Sequence, residues 1–596
     1  MGPYHVELDG QGYLIDLASY RKDAGEQFAS KQAVSTRYYA DLKDVGVWVQ
    51  TDWQAGRGAT RWREAEAARF AAGAGLDTLT PGEVRCGPRA VPIVAWAPVA
   101  PARQIIGFVT YRGGLFWATV ASGTLALWRA ESEAMAPACW TVPDGAVGGL
   151  AVYRDAVWLG SGTSGNLYRW DASLGTLTTA LALDGAQGIP ALAVYVPGGT
   201  GPLLYLGVRR ETGGQVYVWD GTAATLLLTL EGAEPTHLFA FDGRLYVAAA
   251  DAGGHGLLYR YDGADWALVV QLTENWAQSG AAFGAHYWLG SGRDNRVWRF
   301  DGRALVEVFA GLAPSGARIR GMAAAHGRLY VGAVAEAGPR SLLASATGLD
   351  WHDLQPEGLV PTAANGLGIC GIGALNGAVY LAEELSAGTG AQVYRLGLGS
   401  AWNTSGELVS ARFDAGLPSV DKAWRRCTVT HAPLASGERV EVAYRLDGAA
   451  TWQPLVTAAE AGSTRSTGMF AASVAGREIE LRLALIGGGT STPVVKSVLV
   501  EYGLVPDPRR VWEFEVLLEG TPRVPLRRLD GSREPRTGAE LSAALWSARA
   551  AKRTVAFTDL DGAPYRVYFA GLREMVAPLP ARDGWQTRAR VRLVEA

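Results

Sequence analysis

The sequence predicts a mainly β chain: a β-propeller of about seven blades, followed by an antiparallel β-sandwich and a small α+β C-terminal domain. Three observations carry this. An aromatic residue returns at Trp117, Trp158, Tyr205, Tyr246, Trp288, Tyr330 and Tyr380, in steps of 41, 47, 41, 42, 42 and 50 residues. Around these anchors one phrase recurs in variants: GLAVYRDAVWLGSGTSGNLYRWD, HLFAFDGRLYVAAADAGGHGLLYRYDG and SGAAFGAHYWLGSGRDNRVWRFDG. Beyond about residue 400 the phrase stops and longer alternating strands begin. A period of about 40–45 residues, with several short strands and a turn-forming Asp-Gly per unit, is the sign of radially arranged four-stranded sheets. The expected division is 1–100, a segment capping or closing the propeller; 101–400, the propeller; 401–503, the sandwich; and 504–596, the α+β module.

In the first segment, Val45 to Trp53 reads as a strand and Arg61 to Ala72 as a short amphipathic helix. Within a blade, Leu150 and Val152 alternate with Ala151 and Tyr153 on opposite strand faces, both apolar because each blade is packed between two others. Leu-Gly-Ser-Gly at 159–162 and 289–292 supplies a turn after the second strand, and Asp-Gly at 220–221, 262–263 and 301–302 joins the third strand to the fourth. The anchors, with Tyr168, Trp170, Tyr217, Trp219, Tyr259, Tyr261, Trp298 and Phe300, are read as inter-blade core rather than a sugar-stacking surface. Ligand contacts are expected instead from the irregular inserts Val208–Gly214, Ala249–Gly256, Ala333–Arg340 and Glu383–Gly390, because loops on a rigid ring carry binding. Arg439 to Leu446 and Glu478 to Leu485 read as sandwich strands, and Leu504 to Arg510, with its prolines, as a linker. The last domain opens with a strand at Val511 to Leu518. A capping box Thr537-Gly-Ala-Glu540 then precedes a helix with Leu541, Ala544, Leu545 and Ala548 on its apolar face. Strands at Thr554–Phe557, Tyr565–Phe569 and Ala589–Val594 complete it.

A chain of 596 residues exceeds what one core organises. A net charge of −3 with interspersed signs offers no basic stripe for nucleic acid, no membrane span is read, and MGPYHVELDGQGYLID lacks the features of a Sec signal. Cys86, Cys139, Cys370 and Cys427 form no CxxC, and His5, His237, His255, His286, His326, His352 and His431 show no metal-ligand spacing. Gly366-Leu-Gly368-Ile-Cys-Gly371 matches the dinucleotide fingerprint by letter but leads into a strand, expected from Gly371 to Leu381, and so reads as a blade turn. Ser161-Gly-Thr-Ser-Gly lacks the context of a nucleophile elbow, and Asp559-Leu-Asp561-Gly562 has too few oxygens for calcium and reads as a hairpin turn. No catalytic, cofactor-binding or metal-binding residue is assigned from the sequence, and no cofactor is expected.

Leu446-Asp447-Gly-Ala-Ala-Thr451-Trp452, with an echo at Ser345-Ala-Thr-Gly-Leu-Asp350-Trp351, resembles the Asp-box hairpin of sialidases and other propeller glycosidases, where the box is a structural turn. The segment Tyr38-Tyr-Ala-Asp41-Leu, Val49-Gln-Thr-Asp52-Trp53, Gly56-Arg-Gly58 and Arg61 resembles the opening of tail-associated structural proteins of siphophage-like bacteriophages. Ser410 to Trp424 and Thr492 to Ser497 with Glu501-Tyr502 are similar to the sandwich of such proteins. Leu529-Asp530-Gly531, Arg536 to Glu540, Asp559 to Gly562 and Gly571 to Glu574 are similar to their C-terminal modules. The resemblance implies a structural tail component in the virion, made in the host cytoplasm. It would be a homo-oligomer in contact with other tail proteins, its propeller displayed toward host-surface glycan. Two alternatives stay open: a propeller glycoside hydrolase or lyase, with carboxylates brought together from separate blades, and a non-catalytic protein-interaction scaffold.

Overall fold

Four-stranded antiparallel sheets recur along the chain, each running from an innermost to an outermost strand. The computed structural model describes residues 3–27, 46–96, 104–198, 200–309, 318–334, 341–359, 366–385, 392–471, 474–504, 507–520, 525–550, 554–578 and 585–595. The quoted stretch Tyr38–Asp41 and most of the inserts after Val334 and Leu385 lie outside them.

Blades 1 to 6 begin with the innermost strands Gln104–Tyr111, Val147–Tyr153, Gly188–Tyr195, Ala233–Phe241, Ala277–Phe283 and Arg318–Ala325, and the innermost strand of blade 7 is Gly366–Leu375. Each of these packs against the next around the circle, and Gly366–Leu375 packs against Gln104–Tyr111, so the ring is closed with seven blades. Blade 7 takes its outermost strand from before the ring: Ala90–Pro92 pairs antiparallel with Gln392–Leu396.

Each gap between neighbouring blades holds one apolar cluster. Trp158, Tyr205, Tyr246, Trp288, Tyr330 and Tyr380 are all buried on the second strands, each facing the blade that follows. The equivalent residue in blade 1 is Phe116, because Gly114 pairs with Tyr111 just as Ala156 pairs with Tyr153. Trp117, the anchor expected from the sequence, alternates to the opposite face and points back toward blade 7. There Trp96 stacks between Trp117 and Tyr380, with ring centroids 5.3 Å from each, and seals the joint where the two ends of the ring meet.

The expected turn chemistry takes a definite form. Asp220, Asp262 and Asp301 each accept two backbone N–H bonds from the residues two and three places on. The glycine after each has φ of 108°, 107° and 91°, a region L-residues avoid. The fingerprint-like Gly366–Gly371 is no turn. It lies inside the innermost strand of blade 7, and the next strand is Ala378–Leu385, because the segment pairs along its length with that strand.

The residues before the ring are shared among three bodies. Ala90–Pro92 belongs to the propeller. Gly46–Gln50, Gly56–Arg57, Arg69–Ala74, Leu76–Asp77 and Val84–Cys86 belong to the sandwich, whose other strands come from Ser405 to Leu504. One core joins the two contributions, with Trp48, Phe70 and Val84 against Leu408, Val429 and Leu483. The helix expected at Arg61–Ala72 is instead one 3-10 turn, Glu64–Glu66, and the strand Arg69–Ala74. Pairing with Ser405–Ser410 and burial of Phe70 override the helical pattern.

The outermost sheet is built from both ends of the chain. Its order is Gln11–Tyr13, Val6–Leu8, Val555–Thr558, Pro564–Pro578, Trp585–Glu595, Asp507–Leu517, Ile15–Gln27. Only Leu14 separates the two edge strands, so the sheet curls until its edges meet. The helix Gly538–Ala550 packs on it through Leu541, Leu545 and Ala548, capped reciprocally by Thr537 and Glu540. The linker expected at Leu504–Arg510 is largely strand, since Asp507–Leu517 starts within it. The turn Asp559–Gly562 is a hairpin turn, as Asp559 N–H to Ala563 O at 3.0 Å shows, and it is also a lock. The Asp559 carboxylate, buried, accepts from Lys22 Nζ at 2.6 Å, Trp512 Nε1 at 3.1 Å, the Leu560 N–H and the Tyr20 hydroxyl.

The chain is therefore nested: propeller within sandwich, sandwich within terminal sheet. Trp96→Ala is expected to destabilise the propeller by about 3–5 kcal/mol, read as a lower first transition in calorimetry. Asp559→Ala, which strands a tryptophan N–H, a hydroxyl and an ammonium, should weaken the terminal sheet by about 2–3 kcal/mol in urea unfolding followed by Trp512 fluorescence. Burial pushes the Asp559 carboxyl up, but the bonds from Lys22, Tyr20 and Trp512 outweigh it and leave it below the ordinary aspartate value. Its stabilisation is then complete above about pH 4 and lost as the pH falls further, a dependence that Asp559→Asn should remove.

Candidate functional site

The axis of the ring is an open channel of about 700 Å³, and none of its lining residues belongs to the sandwich or the terminal sheet. Two recurring features shape it. Two residues after each second-strand aromatic stands a small residue: Ala118, Gly160, Gly207, Ala248, Gly290, Gly332 and Ala382. The next blade's innermost strand lies against these sites. A Cβ at Gly160 would meet Ile189 O at 2.3 Å, and one at Gly290 would meet Ile319 Cγ2 at 2.5 Å.

The second feature is a one-residue bulge in each innermost strand, at nearly the same level in all seven. The extra residue falls within Gly107–Phe108, Gly148–Gly149 and Ile189–Pro190 in blades 1 to 3, and is Thr236, Gln278, Arg320 and Cys370 in blades 4 to 7. Every blade thus places bulge residues in the channel wall. Blades 7, 1, 2 and 3 supply Ile372, Phe108, Leu150 and Leu192 together with Thr163 and Arg209, whereas blades 4, 5 and 6 supply His237, Gln278 and Arg320 together with Pro235 and Met322.

The polar side chains are pinned at one end. Arg209 Nη2 donates to Gly162 O at 2.8 Å and Gln187 O at 3.0 Å, Arg320 Nη1 to Glu384 at 2.7 Å, and Gln278 Nε2 to Ile319 O at 3.3 Å. His237 Nε2 meets the Tyr287 hydroxyl at 3.0 Å. Protein atoms crowd His237 on most sides while one edge stays open to the channel; the crowding lowers its imidazole pKa. Glu234 is the one carboxylate among the described lining residues.

The strand ends that bound the four inserts expected to carry binding, second strand to third in each case, all lie at one end of the ring. Gly162, Thr163 and Arg209 put the channel mouth at that same end. Two loops there, in blades 2 and 5, are braced. Ser161 Oγ accepts the N–H groups of Thr163 and Ser164, and Ser291 Oγ those of Arg293 and Asp294. Asp144, from the loop entering blade 2, accepts from Thr163, Ser164 and Tyr168. Burial raises its carboxyl pKa, but hydroxyls including those of Ser161, Thr163 and Tyr168 lower it further, and the net shift is downward. Ser161 is thus a loop brace. The Asp-box echo is a turn as well: Asp350 accepts from Ser345, Thr347 N–H and Thr347 Oγ1, and Trp351 packs on Trp288. Trp452 of the better copy lies between the guanidiniums of Arg445 and Arg482.

The sandwich is fixed elsewhere, on the circumference of the ring at blades 6 and 7. Buried Asn403 donates to Gly75 O, Leu354 O and Gln355 O and accepts from Glu357 N–H. His352, on the outermost strand of blade 6, meets Gln54 O at 3.2 Å and the Thr78 hydroxyl. Among the described residues no cluster of three or more His, Cys, Asp and Glu is arranged to hold a metal ion, and no helix is long and apolar enough to cross a membrane.

No family model matches this chain, and no curated protein does. Solved structures similar to it include the crystal structures of BBS1N in complex with ARL6DN, soaked with lead and with mercury. They are 12% and 14% identical, cover 52% of this chain and 98% and 97% of theirs, and have a TM-score of 0.36. These are not tail proteins, and on this finding the expected membership of bacteriophage tail proteins, with its tail partners and virion location, is withdrawn. So distant a likeness transfers no activity or partner to this chain.

The channel geometry makes one prediction about protonation. Because burial disfavours the imidazolium, His237 is expected to stay neutral as the pH falls below 6.5, observable in the ring-proton shifts by NMR, and His237→Gln should remove that signal without moving the others. The sign for stability follows: a depressed folded pKa stabilises the propeller above about pH 6.5 and less so below it.

Proposed function

We propose that this chain is a non-catalytic recognition module that holds its partner on the channel-mouth face of the propeller. The observation that carries the reading is the convergence, on one end of the ring, of the channel mouth and the strand ends that carry the second-to-third-strand loops, with no residue of the sandwich in the channel wall. The braced loops of blades 2 and 5 lose little conformational entropy on binding, which favours recognition at such a surface. The nested sandwich and terminal sheet then serve as a mount that fixes the direction in which this face points.

The test immobilises the full chain and screens it against arrayed glycans and proteins, with two pairs of variants. Thr212→Arg and Ala252→Arg stand on exposed loops of the mouth face; Leu226→Arg and Leu268→Arg stand on the outer strands of blades 3 and 4. Loss of binding by at least about tenfold in the first pair, with the second pair unchanged, is expected. The reverse pattern, or chemical turnover of the captured partner, would overturn the reading.

A further inference from the structure

The channel has the chemistry for one class of ligand within that recognition face. Its volume lies in the range of small-molecule sites. Its wall carries the apolar side chains Ile372, Phe108, Leu150 and Leu192 in blades 7 and 1 to 3, with Thr163 and Arg209 at the mouth, and the polar side chains His237, Gln278 and Arg320 in blades 4 to 6, with Pro235 and Met322 among them. Each polar side chain is held by one end to a neighbouring backbone or side chain. The carbonyl oxygen Oε1 of Gln278 and the Nδ1 of His237 take no intramolecular hydrogen bond, and Arg320 uses only Nη1 on Glu384. Side chains fixed in this way offer donors and acceptors without paying rotamer entropy when a ligand arrives. Charge is balanced: Arg320 is paired with Glu384, and the lining adds one further guanidinium, Arg209, and one carboxylate, Glu234. An anionic ligand finds no net positive field here, and an aliphatic one would leave the polar side chains unpaired.

We infer that the channel binds the terminal ring of a neutral carbohydrate, its apolar CH face against the apolar side chains of blades 7 and 1 to 3 and its hydroxyls on His237, Gln278 and Arg320. A pyranose matches this division because one of its faces is apolar while its rim carries hydroxyls that both donate and accept. The inference rests on the reading of the mouth face as a recognition surface.

Saturation-transfer difference NMR on the full chain, with glucose, galactose, mannose and N-acetylglucosamine and with glucuronic acid as the charged counterpart, tests it. Transfer to at least one neutral sugar is expected. It should weaken at least about fivefold in Gln278→Leu and further in Gln278→Trp, which removes the same amide and places a bulky indole in the wall. Both variants should keep the thermal transition of the parent, the check that they fold. Absence of transfer to every neutral sugar, transfer undiminished in Gln278→Trp, or stronger transfer to glucuronic acid would each overturn the inference. If Gln278→Trp still captures a partner on the arrays through the mouth face while no sugar binds, the carbohydrate assignment falls and the recognition reading stands.

Discussion

Pairing between residues at opposite ends of the chain is the constraint on which the rest depends. Ile15–Gln27 pairs with Asp507–Leu517, and Lys22 and Tyr20 reach the buried carboxylate of Asp559, more than five hundred residues away. Within that closure, Gly46–Gln50 pairs with Val494–Leu504, and within that again Ala90–Pro92 pairs with Gln392–Leu396. Each closure brings together strands separated by everything inside it. The entropy of closing such loops grows only slowly with length, so the nesting is thermodynamically tolerable once the inner bodies are compact.

The seams of this arrangement are made of different materials. Ring closure rests on stacked rings, Trp96 between Trp117 and Tyr380. The propeller–sandwich joint rests on buried amide bonds from Asn403. The terminal sheet rests on a carboxylate hub at Asp559. An apolar stack is tolerant of small displacement, whereas a buried amide or carboxylate is costly to leave unmet. The polar joint at Asn403 therefore fixes the orientation of propeller and sandwich more narrowly than packing alone would. That fixed orientation is what a mount for a recognition face requires.

The propeller was legible in the sequence because its period is written in large residues and Asp-Gly turns that fall where the blades place them; Leu-Gly-Ser-Gly, expected as a turn, instead ends the second strand, with only Gly162 and Gly292 beyond it. The first anchor was misjudged by one position, since Phe116 and Trp117 are adjacent aromatics on opposite strand faces, and only pairing with Tyr111 tells them apart. The small residue two places after each aromatic was a readable signal for close packing of the next blade's innermost strand, though its meaning needs that neighbouring blade. Gln278, Arg320 and Thr236 were not legible as a site, because a bulge leaves no mark in composition and it is the bulge that turns these residues inward. The nested connectivity was equally hidden. Short strands such as Ala90–Pro92 and Gly56–Arg57 carry too few residues to show alternation, and the strand Arg69–Ala74 imitated a helix until Ser405–Ser410 supplied its backbone partner.

The bulges also explain how a ring of near-identical blades can present an asymmetric wall. In a regular strand the side chain facing the axis is constrained by pairing and by the blade behind it, and the small residues two places after the aromatics show how tight that fit is. A bulge residue is released from the ladder, so its identity can change without disturbing the inter-blade core. Gly148–Gly149 and Ile189–Pro190 on one side, and Gln278 and Arg320 on the other, occupy the same structural place with opposite chemistry. The core aromatics hold the radius of the ring, and the bulges decide what the axis can recognise. Variation at one set of positions is thereby separated from stability at the other, and this separation allows the channel wall to carry apolar and polar side chains in different blades without loss of the closed ring.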